Sequence, residues 1–441
     1  MSGRGQSAFA SPASSYELAS THVNSHSACG RLPLIELTTQ CCIVGGGPAG
    51  LVLGTLLARS GVDVIVLEKH ADFLRDFRGD TIHPSTLQAM DELGFADELL
   101  HLPHEKAHLL RGILNGENIL MADFSHLNTR YPFIAFMPQW DLLNFLARKA
   151  SAYSHFRLLM RSEAKTLVRE GGKIVGVEAT SPEGNVSIRA DLTVACDGRD
   201  SHMRAQAGLQ PTVLGAPMDV LWFKLSRRDS DGSEPMGRFD AGRIFITINR
   251  NDVWQCGYVI AKGSFGQLQQ RPISDLQQTI AEIAPPLADR VHEIASWDDV
   301  KLLTVAVDRL PVWHKPGLLC IGDAAHAMSP IGGIGINLAI QDAIATANLL
   351  ALKLRDGAVQ ESDLAAVQKR REWPVRLTQW VQVTIQNRII APALGTKARG
   401  RAPWLLRHLH QIPVLRDLPA RFVGIGVRPE HVTAPAMPPK K

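Results

Sequence analysis

The stretch Cys41-Cys42-Ile43-Val44-Gly45-Gly46-Gly47-Pro48-Ala49-Gly50 decides the fold. Its four apolar residues read as a short buried strand, and Pro48 to Arg59 reads as a helix that Gly61 closes. Asp63 to Leu67 then reads as a second buried strand ending at Glu68. A β-α-β unit of about thirty residues implies a right-handed parallel crossover. A lone G-x-G-x-x-G is a weak signal, but here it follows a strand, opens a helix and precedes an acid at the end of the next strand. Gly45 permits the tight turn, Gly47 lets a pyrophosphate approach the backbone, and Gly50 allows close helix-strand packing. The anion sits at the helix start, Pro48-Ala49, where unpaired amides such as that of Ala49 point outward and the helix dipole is positive. Glu68, with Lys69 beside it, stands where a ribose is held. A chance glycine-rich turn would leave this context unexplained, so a dinucleotide is expected, and this unit alone does not separate NAD from FAD.

Two later segments bear on that choice. Thr193-Val194-Ala195-Cys196-Asp197-Gly198 is a buried strand running into an Asp-Gly turn, followed by Ser201, His202, Met203 and Arg204 opening a helix. Leu318-Leu319-Cys320-Ile321-Gly322-Asp323-Ala324-Ala325-His326 is another strand ending in Gly-Asp. It leads through Pro330-Ile331-Gly332-Gly333-Ile334-Gly335-Ile336-Asn337 into a long apolar helix, Ile336 to Leu354. With the glycine fingerprint, these segments resemble the single-component flavoprotein monooxygenases of the para-hydroxybenzoate hydroxylase type. The resemblance covers roughly residues 38–354 and is silent on substrate.

The resemblance implies an α/β fold with a Rossmann-like FAD-binding domain of that type, an inserted, mostly antiparallel β-sheet substrate domain, and a C-terminal helical segment. It implies tightly bound, non-covalent FAD, with NADPH or NADH as transient co-substrate. Asp323 would hold the ribityl chain, with Gly322 making room. Amides near Gly333, Gly335, Ile336 and Asn337 would face the flavin N1/O2 edge, where reduced flavin carries its negative charge. Arg78 matches an arginine that touches FAD, and Gln139 a polar residue holding the adenosine or ribityl region. Asp197 and Gly198 match the Asp-Gly motif, which serves FAD and the nicotinamide cofactor, and Arg204 is a weaker pyrophosphate candidate. The bland readings are a surface or capping role for Arg78 and Gln139 and a turn brace for Asp197. His326 is read as structural rather than acid-base. In this family the flavin C4a-hydroperoxide delivers one oxygen atom of O2 to the substrate, and the protein supplies position, charge and dryness.

From Thr212 to Ile260 the pattern turns to β. Val220 to Leu225, Arg243 to Ile248 and Val253 to Ile260 read as strands, with turns at Asp231-Gly232 and at Asn249 to Asp252. Trp222, Phe223, Phe245, Gln255 and Tyr258 are candidates for the substrate wall, of which about half can point inward because strand side chains alternate. Pro330 is expected to line the same cavity. The pocket candidates are thus Trp222, Phe245, Tyr258 and Pro330; no catalytic side chain and no metal site is assigned. The chain divides into an FAD-binding domain (37–103, 138–210 and 305–372) and a substrate domain (104–137 and 211–304). A basic helical segment (373–432) follows, with disordered ends at 1–36 and 433–441. Ordered structure is expected from about Thr38.

The whole chain has 441 residues, 45% hydrophobic and 20% charged, which excludes global disorder. No run approaches the roughly 18 apolar residues of a membrane span. Net charge is only +4, too mild to argue for nucleic acid. From Lys369 to Arg428, however, twelve basic residues face only Glu372 and Asp417. Pro392, Pro403, Pro413 and Pro419 break this stretch into short helices and turns rather than one rod. Trp404, Leu405, Leu406, Leu409 and Phe422 interleave its arginines; peripheral membrane contact is one reading, and packing across the frame is favoured. The six cysteines form no CxxC or zinc spacing and read as buried residues in a reducing cytoplasm. A monomer or homodimer oxidising an aromatic or polyketide-like small molecule is the reading. The alternatives are a flavin-dependent reductase or dehydrogenase on this fold, or a binding protein that has lost catalysis. A halogenase is disfavoured, because the G-W-x-W-x-I-P segment is absent.

Overall fold

The computed structural model describes residues 34–74, 81–395 and 413–437, apart from 115, 233–235, 241 and 251. Strand β1 (Leu34–Val44), helix α1 (Pro48–Arg59) and strand β2 (Val64–Leu67) form the expected crossover, with the two strands parallel. β1 also pairs in parallel with Gly184–Ala195, which pairs in parallel with Leu318–Cys320. Phe156–Leu159 extends the other edge beyond β2. The hairpin strands Glu163–Glu170 and Lys173–Ser181 attach to Gly184–Ala195 and complete the eight-stranded sheet. α1 is buried from Ala49 to Ala58, packed between the sheet and the helices Gln139–Ala150 and Gly335–Arg355. Leu51, Leu53, Leu56 and Leu57 are all fully buried, so truncating any one of them to Ala costs about 2–5 kcal/mol.

The second sheet has seven strands in the order Lys301–Leu303, Met218–Ser226, Val253–Ala261, Arg243–Arg250, Met236–Asp240, Leu109–Leu114, Glu117–Asp123. Only Met236–Asp240 with Leu109–Leu114 is parallel. Alternation splits its side chains cleanly. Leu221, Phe223, Phe245, Trp254, Cys256 and Tyr258 face helix Ile273–Ile283 and its apolar neighbours, whereas Val220, Trp222, Ile244 and Val259 face the opposite way. The opposite face also receives Ile331, Ile385, Ile390 and Leu394.

Four expectations about the chain's course need correction. β1 starts at Leu34, because Leu34 to Glu36 pair with Asn185 to Ser187; their half-exposed alternation gave no buried apolar run. The tail described through Met437 is docked: Ser60 Oγ donates to Pro435 C=O at 2.7 Å, Met437 N–H donates to Arg59 C=O at 2.8 Å, and Ala434 is buried. The basic stretch begins inside one 25-residue helix, Glu361–Ile385, which runs across the boundary placed at 372 and accommodates Pro374. That helix continues through a π-helical turn, Gln386–Ile390, into Ala391–Gly395 around Pro392. Lastly, the long helix is long and apolar enough to cross a membrane, yet its apolar window is 78% buried inside the protein. Trp404, Leu405, Leu406 and Leu409, which carried the membrane reading, lie outside the described residues, as does Cys29.

Candidate functional site

Parallel pairing brings the motifs together. In register, Leu67 lies opposite Val44, Val44 opposite Ala195, and Ala195 opposite Cys320. Glu68, the Gly45-Gly46-Gly47 loop, Cys196-Asp197-Gly198 and Ile321-Gly322-Asp323 therefore leave the sheet side by side at the carboxyl ends of four neighbouring strands. Ligands bind in such crevices of open α/β sheets. Gly45 holds φ +108°, and a Cβ there would lie 2.4 Å from the Cys196 carbonyl oxygen. A Cβ on Gly50 would lie 2.0 Å from the carbonyl oxygen of Gly45. By contrast, nothing lies within 4 Å of a Cβ built on Gly47 or Gly198. The cradle is thus closed against the protein and open toward the crevice, which fits a dinucleotide lying on bare backbone.

Two helices start in this crevice without side-chain caps, α1 at Pro48 and the long helix at Gly335. Their first amides have no intrahelical acceptor and suit anionic groups. Glu68 is 9% exposed; its Oε2 accepts the Gly46 N–H at 3.1 Å and its Oε1 the His70 N–H at 3.0 Å. Lys69 is exposed. Asp197 spends both oxygens on the following helix, accepting from Ser201 Oγ at 2.5 Å and Met203 N–H at 3.1 Å. Arg204 is buried with its guanidinium on the carbonyls of Ala324 (3.2 Å) and Arg199 (2.7 Å), so it ties the Asp-Gly turn to the Gly-Asp segment. Asp323 is part-exposed, with Arg199 Nη2 at 3.7 Å. Asn337 Oδ1 accepts from the hydroxyls of Ser85 and Thr86 at 2.9 and 2.7 Å, which fixes the start of the long helix against the helix that begins at Pro84. Gln139 opens its helix next to Trp140, whose ring lies 5.8 Å from the Arg250 guanidinium of the second sheet. Arg78 lies outside the described residues.

Of the pocket candidates, Trp222 faces the crevice side of the second sheet, in one cluster with Ile331 of the glycine loop. Its ring lies over Gly257, where a Cβ would meet it at 3.0 Å. Gln255 shares this face by register. Phe245 and Tyr258 do not: their strand positions put them, with Phe223, against helix Ile273–Ile283, and Phe245 stacks on Phe223 at 6.2 Å. Aromatic character alone could not tell the two faces apart, because both are apolar. Pro330 is exposed at the start of the glycine loop.

Several contributors carry no recognisable motif. Asp342, fully buried on the long helix, accepts the Gly322 N–H at 3.1 Å and pairs with His326 Nε2 at 2.6 Å and Arg371 Nε at 3.0 Å. Arg371 continues to Glu430 at 3.3 Å, and Arg370 reaches Glu430 at 2.7 Å. Burial pushes the Asp342 carboxyl up, but His326 and Arg371 outweigh it and hold the group below the usual carboxylate range. Two of the twelve basic residues are therefore structural anchors that fix the Gly-Asp turn from behind. His83 is fully buried with its ring nitrogens 2.7 Å from the Val423 carbonyl and 3.1 Å from the Gly333 carbonyl; burial lowers it to about 4, so the ring is neutral and donates to only one of the two, the shorter contact to Val423. Among the described cysteines, burial pushes Cys42 up to about 12 and raises Cys41, Cys196, Cys256 and Cys320 as well, which disfavours the reactive thiolate.

Comparison with known proteins places these features. The family described as "FAD binding domain" matches residues 38–381. A 6-methylpretetramide 4-monooxygenase of Streptomyces rimosus is 33% identical over 364 residues, covering 82% of this chain and 86% of that protein. A 12-dehydrotetracycline 5-monooxygenase/anhydrotetracycline 6-monooxygenase of Streptomyces rimosus is 27% identical over 319 residues, 68% of this chain and 60% of that protein. Among solved structures, a p-nitrophenol 4-monooxygenase of Pseudomonas putida superimposes with TM-score 0.74 at 20% identity, over 89% of this chain and all of that one.

Proposed function

The chain belongs to the FAD binding domain family and is an FAD-dependent monooxygenase, and from this premise we propose that it hydroxylates a polycyclic, polyketide-like phenol with NAD(P)H and O2. Bound FAD supplies the redox chemistry, accepting a hydride and activating O2. The protein supplies placement. Gly45, Gly47 and Gly50 expose backbone to the pyrophosphate, Glu68 takes the ribose, and Asp323 with Gly322 takes the ribityl chain. The uncapped helix start at Gly335-Ile336-Asn337 stabilises negative charge on the flavin's pyrimidine edge. Gln139 and the Asp197-Gly198 turn border the adenosine side.

The substrate is read as lying between that helix start and the Trp222 face. The observation that carries this is the shared cluster of Ile331 and Trp222, which sets the glycine loop directly against the inserted sheet. An apolar wall with Gln255 at its margin excludes water from the reacting centre, which the oxygen transfer requires. The 6-methylpretetramide and anhydrotetracycline named for the two Streptomyces rimosus relatives are both tetracyclic, which supports a substrate of several fused rings.

The test is anaerobic stopped-flow reduction of the bound flavin by NADPH and NADH against a panel of phenols, quinolones and polyketides, with anhydrotetracycline and p-nitrophenol among them. A fused-ring phenol is expected to accelerate reduction and yield a product heavier by one oxygen atom. If no panel member accelerates reduction and no oxygenated product forms, the reading fails, and a reductase becomes the better description.

A further inference from the structure

Three glutamines on the helix Glu361–Ile385 and its π-helical extension are sealed from solvent. Gln379 is 0% exposed, Gln382 1% and Gln386 0%. Spacings of three and four put them on one helix face. A buried primary amide is costly unless paired, so its partners are informative. Gln379 Nε2 donates to the carbonyls of Asp308 (2.6 Å) and Ala327 (3.0 Å). Gln382 Nε2 donates to the carbonyls of Ser329 (3.0 Å) and Ile331 (2.9 Å), while its Oε1 accepts the Ser329 N–H at 3.2 Å. Gln386 Nε2 donates to Ser329 Oγ at 2.7 Å, and that hydroxyl also accepts the Ile331 N–H at 3.3 Å.

The segment these amides grip, 327–331, joins the Gly-Asp turn to the glycine loop and contains Pro330. It belongs to no strand, and Gln382 satisfies both the N–H and the C=O of Ser329 as a neighbouring strand would. The π-helical turn adds a second effect. Its longer repeat brings Ile385 and Ile390 toward one side, where both join the Trp222 cluster. One helix thus fixes the loop with its glutamines and covers the inner sheet face with its isoleucines.

We propose that Gln382 and Gln386 are positioning residues for oxygen transfer, setting the distance between the flavin edge and the substrate face by clamping residues 327–331. The inference rests on the monooxygenase reading above. When the clamp is released, the loop opens, and turnover passes both electrons of NAD(P)H, with two protons, to O2 as hydrogen peroxide instead of inserting oxygen.

The experiment uses FAD-loaded enzyme: wild type, Gln382→Leu, Gln386→Leu, the conservative Gln382→Glu, and Trp380→Ser as a control on the exposed side of the same helix. Hydrogen exchange is followed by peptide, the flavin absorption band is recorded, and peroxide and product are counted per NAD(P)H with the most effective panel compound. In Gln382→Leu, exchange across 327–333 should accelerate about tenfold or more while residues 41–58 stay protected. The flavin band should shift, and product per NAD(P)H should fall about tenfold or more, further than NAD(P)H oxidation itself. Gln386→Leu should do the same more weakly, and Trp380→Ser should match wild type. Gln382→Glu, sealed from water and therefore held as the neutral acid, keeps the acceptor for the Ser329 N–H and one of the two donors and should recover part of the loss. Unchanged exchange at 327–333 in Gln382→Leu, or an equal effect in Trp380→Ser, overturns the proposal. So does a loss of product strictly proportional to FAD content. If Gln382→Leu does not fold, Gln386→Leu and Gln382→Glu decide in the same way. Failure of the monooxygenase reading shows separately, as wild type that forms no oxygenated product.

Discussion

The crevice and the support behind it are built by different means. The side formed by β1, Gly184–Ala195 and Leu318–Cys320 offers backbone: glycines without Cβ atoms, uncapped helix amides and short turns at aligned strand ends. The support, formed by Glu361–Ile385 and the described C-terminal residues, works through side chains. Asp342, Arg371 and Glu430 form a buried ionic chain, His83 sits between two carbonyls and donates to one, and three glutamines hold one loop. Backbone function demands particular residues at fixed spacing in one stretch, whereas side-chain function joins residues far apart in sequence. The first tolerates almost no substitution, and the second should fail by degrees.

Two glycine variants give the largest expected effect on this contrast. Gly45→Val places a side chain against the Cys196 carbonyl at a positive φ, so FAD binding and soluble yield should both be lost. Gly47→Val faces open space, so the apoprotein should keep its Tm while FAD affinity, titrated by flavin fluorescence, falls about tenfold or more. If both lose Tm equally, the closed-and-open cradle is wrong. Next in size is Arg371→Met, which removes the cation shared by two buried carboxylates, leaves Asp342 to His326 and Glu430 to Arg370, and should cost about 1.5–3 kcal/mol by urea unfolding.

A pH dependence follows in size. His83 is neutral when folded, at about 4, but titrates near 6.5 in the unfolded chain. The unfolded state therefore binds the extra proton between these values. The stabilisation is complete above pH 6.5 and is lost as pH falls toward 4, with an upper bound of about 3 kcal/mol. His83→Gln should flatten that slope in chemical unfolding measured at pH 4.5, 5.5 and 7; an unchanged slope would assign it to other groups. Asp342, held low, adds a further loss only at more acidic pH, as it protonates. The smallest contrast compares the two sheet faces. Phe245→Leu should cost about 1 kcal/mol of stability and leave substrate KM alone, while Trp222→Leu should change KM several-fold at similar stability. Reversed outcomes would exchange the faces.

The same contrast explains what the sequence could reveal. The crossover, the three strand-end motifs and the inserted sheet were legible because buried strands and glycine turns leave local signatures. The face of each aromatic was not: Phe245 and Tyr258 sit one pleat step out of phase with the crevice, and both faces of that sheet are covered. Basic composition suggested surface charge for Arg370 and Arg371, which in fact meet Glu430, about sixty positions away. The spacing Gln379, Gln382, Gln386 was visible, but exposed polar helix faces give the same pattern, and only burial separates the two cases. The docked tail could not be anticipated either, since in its bonds to Arg59 and to the Ser60 hydroxyl the tail contributes only main-chain atoms, which leave no mark in its sequence.

The most direct measurement of the central claim is titration of purified protein with FAD, followed by its visible spectrum, beside Gly47→Val, which is expected to keep its fold. The account predicts one FAD per chain in wild type, released intact on acid precipitation, with a yellow flavin band, and an affinity lower by about tenfold or more in the variant. A colourless wild type that takes up no FAD, or a variant that binds it as well, would contradict it.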